Sequence, residues 1–109
     1  MIRCIRLFTG PDGRSHVEPI TLATGALQAS KAVHVEETAA GSALDWHVAP
    51  CRQYVVTLSG TLEFTTRDGE TFVLKPGDVL LAEDTTGTGH RWRLIDDQPW
   101  RRMYVELAD

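Results

Sequence analysis

The chain has 109 residues, of which 42% are hydrophobic and 24% charged, so it can build one hydrophobic core but is too short for two ordinary domains. Eleven basic residues against fifteen acidic ones give a net charge of −4, which argues against a nucleic-acid-binding protein because such proteins need a positive field to attract phosphates. Every apolar run is too short to span a bilayer, and two cysteines without a C-x-x-C spacing predict free thiols. We therefore expect a single cytoplasmic domain over residues 1–109 that contacts neither nucleic acid nor a membrane.

Segments rich in Val, Thr, Leu and aromatic residues predict β-strands along the chain. The predicted strands cover residues 2–8, 32–37, 52–58, 61–66, 70–74, 78–82, 90–95 and 102–107. Turn residues separate them about every ten positions after residue 50, a spacing typical of antiparallel sandwiches and barrels. Residues 22–31 could form a short helix, but Gly25 and Ser30 disfavour one, so a loop is the alternative. The sequence predicts an all-β fold.

The central strand, residues 52–58, predicts contact with a second subunit. Side chains alternate between the two faces of a strand, and here both faces are largely apolar. One face carries Gln53, Val55 and Thr57, and the other carries Tyr54, Val56 and Leu58. We expect another copy of the chain to cover the second face, with residues 2–8 adding to a neighbour's sheet edge, so a homodimer is predicted.

Histidines are the main candidates for chemistry, because the chain has no phosphate loop, nucleophile elbow or His-Glu-x-x-His pair. His34, His47 and His90 lie on or beside predicted strands, whereas His16 lies in a predicted loop. A histidine that points into a barrel mouth can bind Zn, Fe or Ni through a neutral ring nitrogen. The alternative for each is a half-buried ring bonded to a backbone carbonyl.

Three segments carry a resemblance to a known family. Residues 45–60 read DWHVAPCRQYVVTLSG, residues 75–79 read KPGDV, and a Gly-His pair stands at residues 89–90. They resemble the two motifs of the cupin superfamily, the first at about 45–60 and the second at about 75–92. The resemblance covers about the central half of the chain. It implies a single-domain, antiparallel double-stranded β-helix, the cupin jelly-roll barrel.

The resemblance also implies a metal site, although two of the family's four ligand positions are altered. Counting back from Gly60, the first histidine of the motif falls on His47, the second on Ala49 and the glutamate on Gln53, while His90 matches the histidine of the second motif. We therefore predict that His47, Gln53 and His90 hold a divalent ion, which could be Zn, Fe, Ni or Mn. A neutral amide oxygen at residue 53 would hold such an ion more weakly than a carboxylate.

Further groups could complete this site. If Pro50 inserts no bulge, strand parity points Cys51 inward with His47, so its thiolate is a possible additional ligand; the alternative is a small buried hydrophobic residue. A nearby acid could replace the missing carboxylate, or it could be a solvated charge or turn cap. The candidate acids are Glu37, Asp45 and Asp84.

The pocket beside the metal is predicted from residues on the same strand faces. Trp92 stands two residues beyond His90 and, with Val55 and Thr57, would form the wall of a small-molecule site; Trp92 as core filling is the alternative. The chain also has one local basic excess, which could attract an anionic substrate or RNA or could form a solvated outer face. Its members are Arg91, Arg93, Arg101 and Arg102.

Three functions stay open at this point, and no catalytic residue is identified. The resemblance suggests a metal-dependent dioxygenase or isomerase that acts on a small organic acid or aromatic compound. The alternative is a non-catalytic, metal-free cupin that binds a small molecule. A third possibility is metal-free acid/base catalysis by His90 with Asp84 as its partner, which the sequence disfavours because Asp84 falls in a loop of glycines and threonines.

Overall fold

The computed structural model describes residues 1–109 and contains ten β-strands and no α-helix. No helix in it is long and apolar enough to cross a bilayer. The strands are β1 (Ile2–Thr9), β2 (Ser15–Leu22), β3 (Ser30–Thr38), β4 (Ala43–His47), β5 (Gln53–Ser59), β6 (Leu62–Thr66), β7 (Thr71–Leu74), β8 (Val79–Glu83), β9 (His90–Leu94) and β10 (Trp100–Leu107). The predicted all-β class is confirmed.

The strands form two sheets that share one core. The larger sheet has six strands in the order β2-β1-β8-β5-β10-β3, and the smaller has four in the order β4-β9-β6-β7. All neighbours are antiparallel except β1 and β8, which run parallel. The result is a jelly roll of two sheets, as the resemblance implies, and the sheets do not close into one continuous barrel.

The core lies between the sheets because each strand buries alternate side chains. On β6, Leu62 and Phe64 are fully or almost fully buried, and on the facing sheet Leu7 and Val55 meet them in one apolar cluster. Burying a side chain of this size contributes about 1.5–3 kcal/mol. This packing fixes the inward face of β5, on which several predicted site residues lie.

Two strands were not predicted, and the possible helix is a loop. β2 contains Pro19, which usually argues against a strand, but β2 is an edge strand, where a missing N–H can be tolerated. β4 has only five residues, and the charged Asp45 interrupts its apolar pattern. Residues 23–29 form no regular element, so the loop is the correct alternative for residues 22–31 until β3 begins.

The predicted role of residues 2–8 as an added edge strand is wrong, because β1 is hydrogen-bonded on one side to β2 and on the other to β8. The free edges of the larger sheet are β2 and β3. On β3, Val33 and Val35 are 58% and 64% exposed, and on β5 Leu58 is 55% exposed. The homodimer itself stays a prediction.

Candidate metal and ligand site

A cavity of about 290 Å³ opens between the two sheets. Its position follows from the topology, because β5, β8 and β10 of the larger sheet face β6 and β9 of the smaller one across it. Polar side chains and a larger group of apolar side chains share the lining. The polar ones are His34, Glu36, His47, Gln53, His90 and Arg102, and the apolar ones include Val55, Phe64, Trp92 and Trp100.

His47 ends β4 and presents a neutral ring to this cavity. Its Nδ1 donates a hydrogen bond to the backbone carbonyl oxygen of Asp45 at 2.8 Å, so Nε2 keeps its lone pair. Burial lowers the pKa of His47, and this outweighs the hydrogen bond to Asp45, which alone would raise it. The ring is therefore in the form that binds a metal ion at pH 7.

His90 begins β9 and is oriented by a buried carboxylate. Its Nδ1 lies 2.5 Å from Oδ2 of Asp84, and the hydroxyl of Ser15 donates to the same oxygen at 2.7 Å. Asp84 is fully buried, and its carbonyl oxygen accepts the N–H of Ala49. The expectation that Asp84 lies in a loose loop is wrong, because these three hydrogen bonds hold it inside the fold.

The two rings come together because β4 pairs with β9. His47 is the direct cross-strand partner of His90, and the ring centroids are 4.3 Å apart in a T-shaped arrangement. The approach depends on Gly89, whose φ is +74°; a Cβ at this position would lie 2.2 Å from the carbonyl oxygen of His47. With each Nδ1 engaged, both rings have only Nε2 left for a ligand.

Gln53 lines the same cavity as this pair, whereas Cys51 does not line it. Gln53 is 4% exposed and forms part of the lining. The sulfur of Cys51 lies within hydrogen-bond distance of Oε1 of Gln53 and of Oε1 of Glu106, at 3.6 and 3.4 Å, so its single S–H can donate to either oxygen. Burial and the neighbouring Glu106 raise the pKa of Cys51 above its ordinary value. The thiol thus stays protonated, which does not suit a thiolate ligand.

None of the three candidate acids lines the cavity. Glu37 forms an ion pair with Arg101 at 2.6 Å, the side chain of Asp45 accepts the N–H of Trp46 at 2.9 Å, and Asp84 binds His90 from behind. The acid that does line the cavity is Glu36, on β3. Neighbouring residues on a strand point to opposite faces, so Glu36 faces inward where Glu37 faces out.

Of the predicted pocket residues, Val55 and Trp92 line the cavity and Thr57 does not. Thr57 is fully buried, and its hydroxyl accepts a hydrogen bond from Nε1 of Trp100 at 3.3 Å. It positions a wall residue and does not contact the cavity. Trp92 packs edge-on against Trp100, with centroids 4.9 Å apart.

The four arginines of the predicted basic cluster lie in two different environments, the surface and the cavity. Arg91, Arg93 and Arg101 are exposed, but Arg102 is 8% exposed and lines the cavity. Arg102 faces inward with Trp100 because alternate residues of β10 share a face, whereas Arg101 between them faces out. Sequence reasoning missed the individual role of Arg102 because the predicted strand began at this residue, which hid its alternation with Trp100 and Arg101.

A separate group of three strong donors lies on the surface. Asp12, His16 and Asp68 bring one ligand atom each to within 4.8 Å of one another. His16 lies on β2, so its prediction as a loop residue is wrong. Hydrogen bonds from His16 to Asp12 and Glu70 raise its pKa, so the ring is favoured as a cation and both nitrogens are occupied.

Comparison with known proteins identifies the family. The profile of the cupin domain matches residues 32–106. The chain belongs to this cupin domain family. A cupin-domain-containing oxidoreductase of Neurospora crassa is 32% identical over 77 residues, which are 71% of this chain but only 38% of that protein.

Two solved structures support the same fold. A DUF861 family protein of Thermotoga maritima is 28% identical, with a TM-score of 0.56 over 69% of this chain and 77% of that chain. The cupin domain of Schizosaccharomyces pombe Cnp3 is 18% identical, with a TM-score of 0.58 over 99% of this chain and 83% of that chain. The second likeness shows the fold alone.

Proposed function

We propose that this cupin binds a small organic ligand in the 290 Å³ cavity, beside a divalent metal held by His47, His90 and Gln53. The observation that carries the proposal is the state of the two rings. Each histidine has Nδ1 bonded to an oxygen behind it, and both rings line the same cavity. Metal-binding histidines are characteristically oriented in this way by a carbonyl or carboxylate.

The donor set fits a first-row divalent ion. Two imidazoles suit Zn, Fe or Ni, and an amide oxygen is a weaker donor that Mn also accepts. Ala49 stands at the position where the family's motif has a second histidine, so the set has three protein donors and leaves coordination positions for a ligand. Three protein ligands with an open position are typical of catalytic metal sites, as opposed to structural ones.

The residues around the donors define what the site can do. Bound here, the metal would polarise a substrate oxygen or activate dioxygen, which are the two roles behind isomerase-like and dioxygenase-like chemistry. The chain itself supplies the orientation: Asp84 fixes the ring of His90, and Trp92 with Phe64 provides flat apolar walls for a planar ligand. The Neurospora relative is described as an oxidoreductase, which favours the redox role.

Elemental analysis of untagged protein tests this proposal. We expect one equivalent of metal in the wild type, or after reconstitution with Zn²⁺, Fe²⁺, Ni²⁺ or Mn²⁺, and its loss in His47→Ala and in His90→Ala. His16→Ala is the matched control and should keep the metal, because that ring lies on the surface. A folded wild type that binds none of the four ions contradicts the proposal and leaves a metal-free binding cupin.

One observation favours a second candidate, metal-free acid/base catalysis by His90. Asp84 is fully buried and 2.5 Å from the ring, and such a carboxylate both orients an imidazole and stabilises its protonated form. A turnover that survives EDTA and is lost in both Asp84→Asn and His90→Gln would support this function. Turnover abolished by EDTA and restored by one metal would support the first.

A further inference from the structure

Arg102 is a buried cation without an acidic partner. Its side chain lines the cavity and is 8% exposed, and it forms no ion pair within 4 Å, unlike Arg6, Arg52 and Arg101. Arginine stays charged in proteins, and a buried charge is costly unless an opposite charge or several hydrogen bonds offset the cost. The cavity therefore contains a positive charge that the fold itself does not neutralise.

Neutral groups hold this guanidinium in place. Nε donates to the hydroxyl of Tyr104 at 3.1 Å, and Nη1 donates to Oγ1 of Thr38 at 2.6 Å and to the carbonyl oxygen of Trp100 at 3.1 Å. The guanidinium carbon also lies 3.9 Å from the ring centroid of Trp100. Nη2 makes no hydrogen bond in the structure, so a donor remains on a side chain that is already fixed.

The one acid near Arg102 in the lining does not pair with it. Glu36 is the cross-strand partner of Arg102 and also lines the cavity, but its side chain is exposed and lies beyond ion-pair distance. An exposed carboxylate at the mouth repels an incoming anion only weakly, because water and salt screen it. The buried guanidinium dominates inside, where the dielectric constant is lower.

We propose that the ligand of this cavity is a small organic carboxylate, whose carboxylate group accepts hydrogen bonds from Arg102 and whose apolar body packs against the aromatic wall. The planar guanidinium matches a carboxylate in geometry and charge. The inference deepens the proposed function, since it names the ligand class of the same cavity. The cavity has a volume of about 290 Å³. This is the volume that about ten water molecules occupy in the liquid, at roughly 30 Å³ each, so the cavity can hold a ligand the size of benzoate.

Pairs of probes that differ in charge alone test this inference. Benzoate and hexanoate are titrated by calorimetry against benzamide and hexanamide, in EDTA-treated protein so that no metal contributes. We expect at least one carboxylate to bind tenfold or more tightly than its amide. Arg102→Gln should abolish that preference without weakening amide binding, and Arg102→Lys should keep part of it because an ammonium cannot form the paired hydrogen bonds.

Arg101→Gln is the matched control, because its side chain is exposed on the opposite face of the same strand, and it should bind like the wild type. Equal binding of each acid and its amide, absence of binding by all four probes, or an unchanged preference in Arg102→Gln would overturn the inference. If Arg102→Gln does not fold, Arg102→Lys carries the test. Its preference for the carboxylate over the amide should be smaller than that of the wild type, and an unchanged preference would count against the inference.

The test of carboxylate binding can succeed or fail independently of the metal proposal. His47→Ala and His90→Ala should lose metal but keep the preference for the carboxylate over the amide. Retained metal binding in a wild type with no charge preference would leave the metal proposal standing and reject the role of Arg102. A strong, Arg102-dependent preference in a protein that binds no metal would do the reverse.

Discussion

Two of the places where a histidine meets a carboxylate in this protein, one on the surface and one in the interior, have opposite properties. On the surface, His16 is bonded through both ring nitrogens, to Asp12 and to Glu70. Inside, His47 and His90 are each bonded through Nδ1 alone, and their rings lie 4.3 Å apart. The surface group has more strong donors, but the internal pair has the unused nitrogens.

The difference shows that the number of donors does not define a metal site. Carboxylates around His16 raise its pKa and engage both ring nitrogens, which disfavours a free lone pair for a metal. Burial lowers the pKa of His47 and favours the neutral ring. We expect substitutions in the internal pair to change ligand and metal binding, and substitutions in the surface group to change only stability, and that only slightly.

The largest effect is expected from Asp84→Asn. This change removes the carboxylate that orients His90 but keeps the shape of the side chain, and loss of such a partner typically weakens metal binding about 10–100-fold. Zn²⁺ titration by calorimetry measures it. Asp12→Asn is the control at the surface histidine and should leave Zn²⁺ affinity at the internal site unchanged. Equal affinities of Asp84→Asn and wild type would contradict the role of Asp84 in positioning His90 for the metal.

Gln53→Glu is expected to strengthen the internal site. A carboxylate at this position adds a negative charge beside the ion, and we expect Zn²⁺ or Mn²⁺ to bind about tenfold more tightly, which corresponds to about 1.4 kcal/mol. The same titration measures the gain. The neighbouring substitution Cys51→Ser, outside the cavity, should give no comparable gain. Unchanged affinity in Gln53→Glu would place residue 53 outside the coordination sphere.

Glu83 is a carboxylate outside the proposed metal site, and its ion pairs with Arg6 and Arg52 stabilise the fold. Burial alone would raise the pKa of Glu83, but hydrogen bonds from Arg6 and Arg52 outweigh this and lower it. Because the folded pKa lies below the unfolded value of about 4.3, the pairing stabilises the fold above that pH and the contribution is lost as the pH falls through the folded pKa. Glu83→Gln should therefore cost about 1–2 kcal/mol at pH 7 and progressively less below pH 4.3.

Urea denaturation of Glu83→Gln and wild type from pH 7 to pH 2.5 measures this difference. Metal content at pH 7 should be the same in both proteins. A stability difference that does not shrink on acidification would contradict the assigned pairing.

The smallest effect is expected from His16→Gln. The folded pKa of His16 is raised, so its contribution is fully present below the unfolded pKa of about 6.5 and is lost as the pH rises through the folded value. The variant should have a slightly lower Tm than the wild type at pH 5.5 and nearly the same Tm at pH 9. A larger difference at pH 9 than at pH 5.5 would reverse the assignment.

The sequence was sufficient for the strands rich in Val, Thr, Leu and aromatic residues and for the segments that resemble the family. β5 and β6 could be predicted from this composition and from Gly60, which marks the turn between them. The strands β3 and β10 were also predicted, but their pairing could not be, since cross-strand partners such as Glu36 and Arg102 are far apart in the chain. Their approach depends on the whole topology and not on local pattern.

The residues that orient the site histidines were less predictable from the sequence than the histidines themselves. His47 and His90 could be matched to motif positions, but Ser15 and Asp84 come from separate segments whose contact only the folded structure shows. Glycines and threonines around Asp84 indicated a loose loop, whereas three hydrogen bonds fix it in the interior. Local composition indicates how flexible a segment of backbone would be by itself, but hydrogen bonds to distant residues can hold the segment in one conformation.

Long-range ¹H–¹⁵N NMR spectra of the histidine side chains, recorded at pH 7 before and after addition of Zn²⁺, test the account most directly. They should show a proton on Nδ1 of both His47 and His90, and the Nε2 signals of these two rings alone should move with Zn²⁺, whereas the signals of His16 should not. Unchanged Nε2 signals of His47 and His90 on addition of Zn²⁺, or a Zn²⁺ response at His16 in their place, would contradict the assignment of the internal pair as the site.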